Sequence, residues 1–132
     1  MKLNVAVEEF LPHSIEAVWA ALTNAETISG WLMPTVDFQP VVGARFRMRT
    51  EHLAPGGFVD AEVVELEPPR RMVWSWSIGD GSAPTTVTFA LHPEVGGTRV
   101  RLTHIGEIDP TIGDLLGSGW PGRLKLLREV AR

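Results

Sequence analysis

Between Phe58 and Thr103 this chain runs through four segments with apolar residues at every second position, separated only by short clusters of turn-forming residues. In one of them Met72, Trp74, Trp76 and Ile78 share a side while Val73, Ser75 and Ser77 take the other. In the next, Val87, Phe89 and Leu91 alternate with Thr86, Thr88 and Ala90. The joints are Glu67-Pro68-Pro69-Arg70, Gly79-Asp80-Gly81-Ser82 and Glu94-Val95-Gly96-Gly97. Connections this short permit only antiparallel neighbours, since a parallel crossover needs about a dozen residues or more. A sheet with one apolar face must then be covered by something.

The flanking sequence supplies the cover. Leu3, Val5 and Val7 alternate as a first strand ending near Pro12. Ser14 can cap a helix whose apolar face is Ile15, Val18, Trp19 and Leu22, and Asn24 a second, short one through Glu26 and Ile28, broken at Gly30. Phe38 then fits a short strand, and Phe46 and Met48 alternate with Arg45, Arg47 and Arg49 before the turn Ala54-Pro55-Gly56-Gly57. After Gly106, Asp109-Pro110 starts a closing helix through Ile112, Leu115, Leu116, Trp120, Leu124, Leu127 and Val130. Gly117, Gly119 and Pro121-Gly122 lie inside it, which predicts two segments or a marked bend near Ser118 to Gly122. The order predicts an α+β fold in one domain over residues 1–132: a curved antiparallel sheet of about six to seven strands around a C-terminal helix, with two short helices after strand one. Such a shape leaves a cavity between sheet and helix. It suits holding an apolar molecule, doing chemistry on it, or passing its occupancy to a partner.

Composition narrows this further. With 44% hydrophobic and 21% charged residues the chain reads as a globular domain, and no apolar run approaches the roughly 20 residues of a membrane span. The start, Met1-Lys2-Leu3-Asn4-Val5, soon meets Glu8-Glu9 and lacks a signal-peptide apolar core, so a cytoplasmic location is the expectation. There is no cysteine, hence no disulfide or thiolate chemistry. A net charge of -4 argues against nucleic acid. No helical histidine pair suggests a metal, and no glycine pair has a phosphate-loop context, so no metal or cofactor is expected.

Several side chains are candidates for function. If their strand face is concave, Trp74 and Trp76 line the cavity, and Trp31, Phe46, Met48, Phe58, Phe89 and Trp120 join them as candidate ligand contacts. The competing reading is that these aromatics fill the core. His104, in register with Val100 and Leu102, points inward, as a ligand-orienting donor, a general base, or a satisfied core histidine with no carboxylate placed beside it by spacing. Asp60 and Glu62 share a face with Phe58, and Glu51 lies at a neighbouring strand end. Inside the cavity they would be proton carriers; outside, an ordinary polar face pairing with Arg45, Arg47 and Arg49. Ser75, Ser77 and Ser118 lack a nucleophile-elbow context, and no catalytic set is assigned.

Taken in order, these pieces resemble a known family. Pro12 to Trp31 (PHSIEAVWAALTNAETISGW), Val42-Gly43-Ala44-Arg45-Phe46, Glu65-Leu66-Glu67-Pro68-Pro69 with Val73-Trp74-Ser75-Trp76, Gly96-Gly97-Thr98-Arg99-Val100, Leu102-Thr103-His104 and Gly119-Trp120 are similar to the START-like (SRPBCC) superfamily, especially its branch of activator-of-heat-shock-protein-90-ATPase homologues. The resemblance implies a helix-grip fold with a pocket. Members of the superfamily include lipid carriers, polyketide cyclases and a domain that stimulates a chaperone ATPase. The leading expectation is therefore a binding protein for a small apolar or amphipathic molecule. Its rivals are a chaperone-associated or stress-response partner and a cyclase- or hydrolase-type enzyme using His104, Asp60 or Glu62. An exposed sheet edge leaves a homodimer open.

Overall fold

Each alternating segment pairs antiparallel with the next in sequence, and the first strand closes back onto the last. The computed structural model describes residues 1–132. Its elements are β1 (Lys2–Leu11), α1 (Ile15–Leu22), α2 (Ala25–Trp31), β2 (Thr35–Val36), β3 (Arg45–Arg49), β4 (Phe58–Glu67), β5 (Arg71–Ser77), β6 (Thr85–Glu94), β7 (Gly97–Glu107) and α3 (Pro110–Val130). They build one seven-stranded sheet in the order β1-β7-β6-β5-β4-β3-β2, with α3 packed on β1 and α2. The α+β architecture expected from the sequence is the one observed, although Phe38 falls just beyond the two-residue strand β2.

The helices start where their caps stand. Ser14 Oγ accepts from the Ala17 N–H, Asn24 Oδ1 from Glu26 and Thr27, and an Asp109 carboxylate oxygen from Thr111 and Ile112. Each bond satisfies backbone donors that a helix cannot satisfy internally.

The expected break in the last helix does not occur: α3 runs unbroken for 21 residues with Pro121 inside it. Pro121 is exposed, and the carbonyl its ring crowds belongs to Gly117, which has no Cβ to resist a small backbone shift. The opposite face buries Ile112, Leu116, Trp120, Leu124 and Leu127. Burying side chains of this size contributes about 1.5–3 kcal/mol each, against roughly 3 kcal/mol for an interior proline, so packing prevails.

Directly opposed residues share a sheet face, and this fixes what faces the helix. Trp76 lies opposite Ala61, and Ala61 opposite Phe46, so these face the core with Val59, Val63, Met48 and Trp74. Asp60, between them in sequence, lies opposite Ser77 and Arg47 on the outer face. A register shift between Val63 and Glu65 comes too late in β4 to change this. Phe58, Asp60 and Glu62 therefore share the outer face, with Phe58 at the end of β4 next to the β3–β4 connection.

Candidate functional site

Where α3 passes the mouth of the curved sheet, a pocket of about 820 Å³ remains open. Leu32, Met33 and Pro34, after α2, form one wall. The β3–β4 connection forms another through Arg49, Thr50, Glu51, His52, Leu53, Gly56, Gly57 and Phe58. Trp76 of β5 contributes from the sheet, and Leu115, Leu116, Gly119, Trp120 and Arg123 from α3. Buried Leu32, Met33, Trp76, Leu116 and Trp120 provide apolar surface, whereas Arg49, Glu51 and His52 are exposed at the rim.

The connecting loop is tied down. Thr50 Oγ1 accepts from the Leu53 N–H at 3.1 Å, the Thr50 N–H donates to the Gly57 carbonyl at 2.9 Å, and Gly57 donates to the Ala54 carbonyl at 3.1 Å. Gly57 holds φ at +82°, a conformation glycine takes without a Cβ penalty. On the helix side Arg123 donates to the Leu32 carbonyl, fastening α3 to the C-terminus of α2. A Cβ built on Gly119 would meet nothing within 4 Å, so glycine here leaves room beside the pocket.

Of the nine candidate contacts read from the sequence, Trp76, Trp120 and Phe58 line this pocket and the other six do not. Trp31, Phe46, Met48, Trp74, Phe89 and His104 are buried elsewhere in the core. The reason is an aromatic cluster: edge-on contacts run from Phe46 to Trp74 (4.9 Å between centroids), Trp74 to Phe89 (4.8 Å) and Trp31 to Phe89 (6.0 Å). Trp31 also donates its indole N–H to the Ala21 carbonyl. Phe58 reaches the pocket only at its rim, with the Arg47 guanidinium 4.7 Å from its ring centroid.

His104 is fully buried and bonded through both ring nitrogens. Trp120 Nε1 donates to Nδ1 at 3.1 Å, so Nδ1 must be the unprotonated nitrogen. Nε2 then carries the proton and donates to Thr85 Oγ1 at 2.7 Å, and Thr85 donates onward to the Trp76 carbonyl at 3.3 Å. Burial pushes the His104 pKa down to about 3. The ring is thus a neutral tie between α3, β6 and β7. As a proton carrier for the pocket it has no free nitrogen, and Asp60 and Glu62 bond Arg47 and Arg45 on the outer face.

Two buried donors are not so served. The indole N–H groups of Trp74 and Trp76 have no hydrogen-bond acceptor. A buried unmade hydrogen bond costs about 1–3 kcal/mol, so such groups are rare and call for a reason. Trp76 is the one in the pocket wall.

Arg49, Gly119, Arg123 and the Leu32–Met33 wall were not among the sequence candidates. Arg49 carried a readable signal: counted outward from the turn, Arg45 and Arg47 meet Glu62 and Asp60, whereas Arg49 meets Phe58. It is left without an acid.

A curved antiparallel sheet gripping a long C-terminal helix, with a pocket between them, defines the helix-grip class of α+β proteins. Within that class, residues 12–132 match the model for activator of Hsp90 ATPase homolog 1-like proteins, and the chain belongs to that family. The fold is shared with protein MLL2253 from Mesorhizobium loti, at 30% identity over 96% of this chain and 95% of that one, with a TM-score of 0.82. The Aha1 dimer from Colwellia psychrerythraea superimposes with a TM-score of 0.83 at 23% identity, covering 98% and 96% of the two chains. DynU16, a putative protein in the dynemicin biosynthetic locus, gives a TM-score of 0.79 at 22% identity over 96% of this chain and 46% of its own. No curated protein matches the chain. The START-like, helix-grip expectation is met. No helix is long and apolar enough to cross a membrane.

Proposed function

We propose that this protein is a binding protein that holds a small apolar or amphipathic molecule between the sheet and α3, in a cytoplasmic setting. One observation carries the reading: a pocket of about 820 Å³ lies between the sheet and α3, with Leu32, Met33, Trp76, Leu116 and Trp120 in its wall. The volume lies within the roughly 300–1,000 Å³ of small-molecule sites, and apolar walls with a few polar groups are their usual lining.

The five tryptophans make the test direct. In ¹⁵N-labelled protein the five indole N–H signals are assigned by single Trp→Phe substitutions, and 1-dodecanol is titrated in. Binding in the pocket shifts the Trp76 and Trp120 signals and leaves Trp19 in place. Saturating probe that moves none of them, or Trp19 as much as Trp76, contradicts the proposal.

A second reading, a chaperone-associated partner active in stress responses, draws on the family description and on the likeness to the Colwellia protein. Recovery of an Hsp90-type chaperone in stoichiometric amount by the purified protein supports it, and an empty pull-down sinks it. The same relative being a dimer supports pairing of two copies through a free edge, β1 or β2, which sedimentation velocity checks.

A further inference from the structure

The arginines of this chain are mostly committed to carboxylates. Arg45, Arg47, Arg71, Arg99, Arg101 and Arg128 each lie within 4 Å of a glutamate or aspartate. Four arginines, Arg49, Arg70, Arg123 and Arg132, have no such partner, and two of them, Arg49 and Arg123, line the pocket. Their isolation follows from the fold: β3 and β4 pair Arg45 with Glu62 and Arg47 with Asp60, then place Arg49 opposite Phe58. Arg123 spends one N–H on the Leu32 carbonyl, which orients its guanidinium and leaves others free, since the group has five donors. The remaining acid and imidazole of the lining, Glu51 and His52, lie 3.8 Å from each other. On a chain of net charge -4, the pocket thus brings together two arginines that are paired with no carboxylate.

We infer that the molecule held in this pocket carries a single anionic head group, a carboxylate or a phosphate, with Arg49 and Arg123 as its recognition residues and Trp76, Leu116 and Trp120 against its apolar body. The inference rests on the binding reading above. Guanidinium groups suit this task because planar donor pairs match carboxylate and phosphate oxygens, and a site partly shielded from water strengthens the attraction. Glu51 opposes a second, separate anionic group and so favours a ligand with one acidic head group over one with several.

Dodecanoic acid, dodecyl phosphate and 1-dodecanol share a tail and differ in the head, and they are compared on the full chain by calorimetry near pH 8 in about 50 mM salt. The acid, the phosphate or both are expected to bind about tenfold more tightly than the alcohol, with the better one identifying the head group. Arg49→Gln should weaken the anionic probes about fivefold and Arg49→Glu further, while the alcohol stays within about twofold. About 0.5 M salt should erode only the anionic preference. Arg49 is exposed, so both variants should fold, which unchanged circular dichroism verifies. Equal binding of alcohol and anions, or equal losses for all probes in the Arg49 variants, overturns the anionic inference and leaves the pocket reading standing. If no probe binds, both fall.

Discussion

The neutral, doubly bonded His104 makes stability depend on pH in a calculable way. In the unfolded chain its imidazole has the ordinary value of 6.5, and in the folded protein about 3. Between those values the unfolded state holds a proton that the folded state refuses. Unfolding therefore takes up a proton, and stability rises with pH at about 1.4 kcal/mol per unit. The sign is physical: protonating Nδ1 would set its N–H against the Trp120 N–H that now donates to it. Full stability is present above about pH 6.5, and the loss is complete only below about 3. At pH 4.5 it should reach about 3 kcal/mol, a large share of the 5–15 kcal/mol typical of a domain. The assay compares urea unfolding of the wild type and His104→Asn at pH 7.5 and 4.5, followed by tryptophan fluorescence. Asparagine cannot charge, so carboxylate titration is common to both proteins and the difference in their losses isolates His104. Parallel losses refute the reasoning, even if the variant is less stable throughout.

Other outcomes follow from single contacts. Trp120→Phe removes the donor to His104 and should lower the unfolding free energy by about 1–3 kcal/mol in urea titrations. Gly119→Ala, on open space in a helix, should stabilise by roughly 0.5–1 kcal/mol, whereas Gly119→Phe should abolish 1-dodecanol binding without unfolding the protein. Pro121→Ala restores a helix donor and should raise the melting temperature by several degrees, about 1–3 kcal/mol. Gly97→Ala would press its Cβ into the Leu11 carbonyl and should cost more than about 3 kcal/mol, visible as a steep drop in melting temperature.

The strand alternation, the caps at Ser14, Asn24 and Asp109 and the short turns made the architecture readable, because each is a local signal that the packed fold keeps. Pro121 misled because a local rule was outweighed by the buried stripe Leu116, Trp120, Leu124 and Leu127, a tertiary effect. The site was legible only in part for a different reason. Period two separates the core face from the outer face, but it does not tell which stretch of the core face is filled. Trp74 and Trp76 sit two residues apart on the same face, yet Trp74 packs between Phe46 and Phe89 while Trp76 borders the pocket. Likewise, the acceptor for Trp120 is His104 because the register of α3 over the sheet brings them together, and no spacing along the chain encodes that register.

Whether the pocket beside Trp76 holds an amphipathic molecule is decided by a crystal structure of the protein grown with saturating dodecanoic acid. Density for the acyl chain is expected between Trp76, Leu116 and Trp120, with its carboxylate near Arg49 and Arg123. A pocket closed by its own side chains, with the Trp76 indole N–H bonded to a protein carbonyl and the acid absent, would contradict the binding reading.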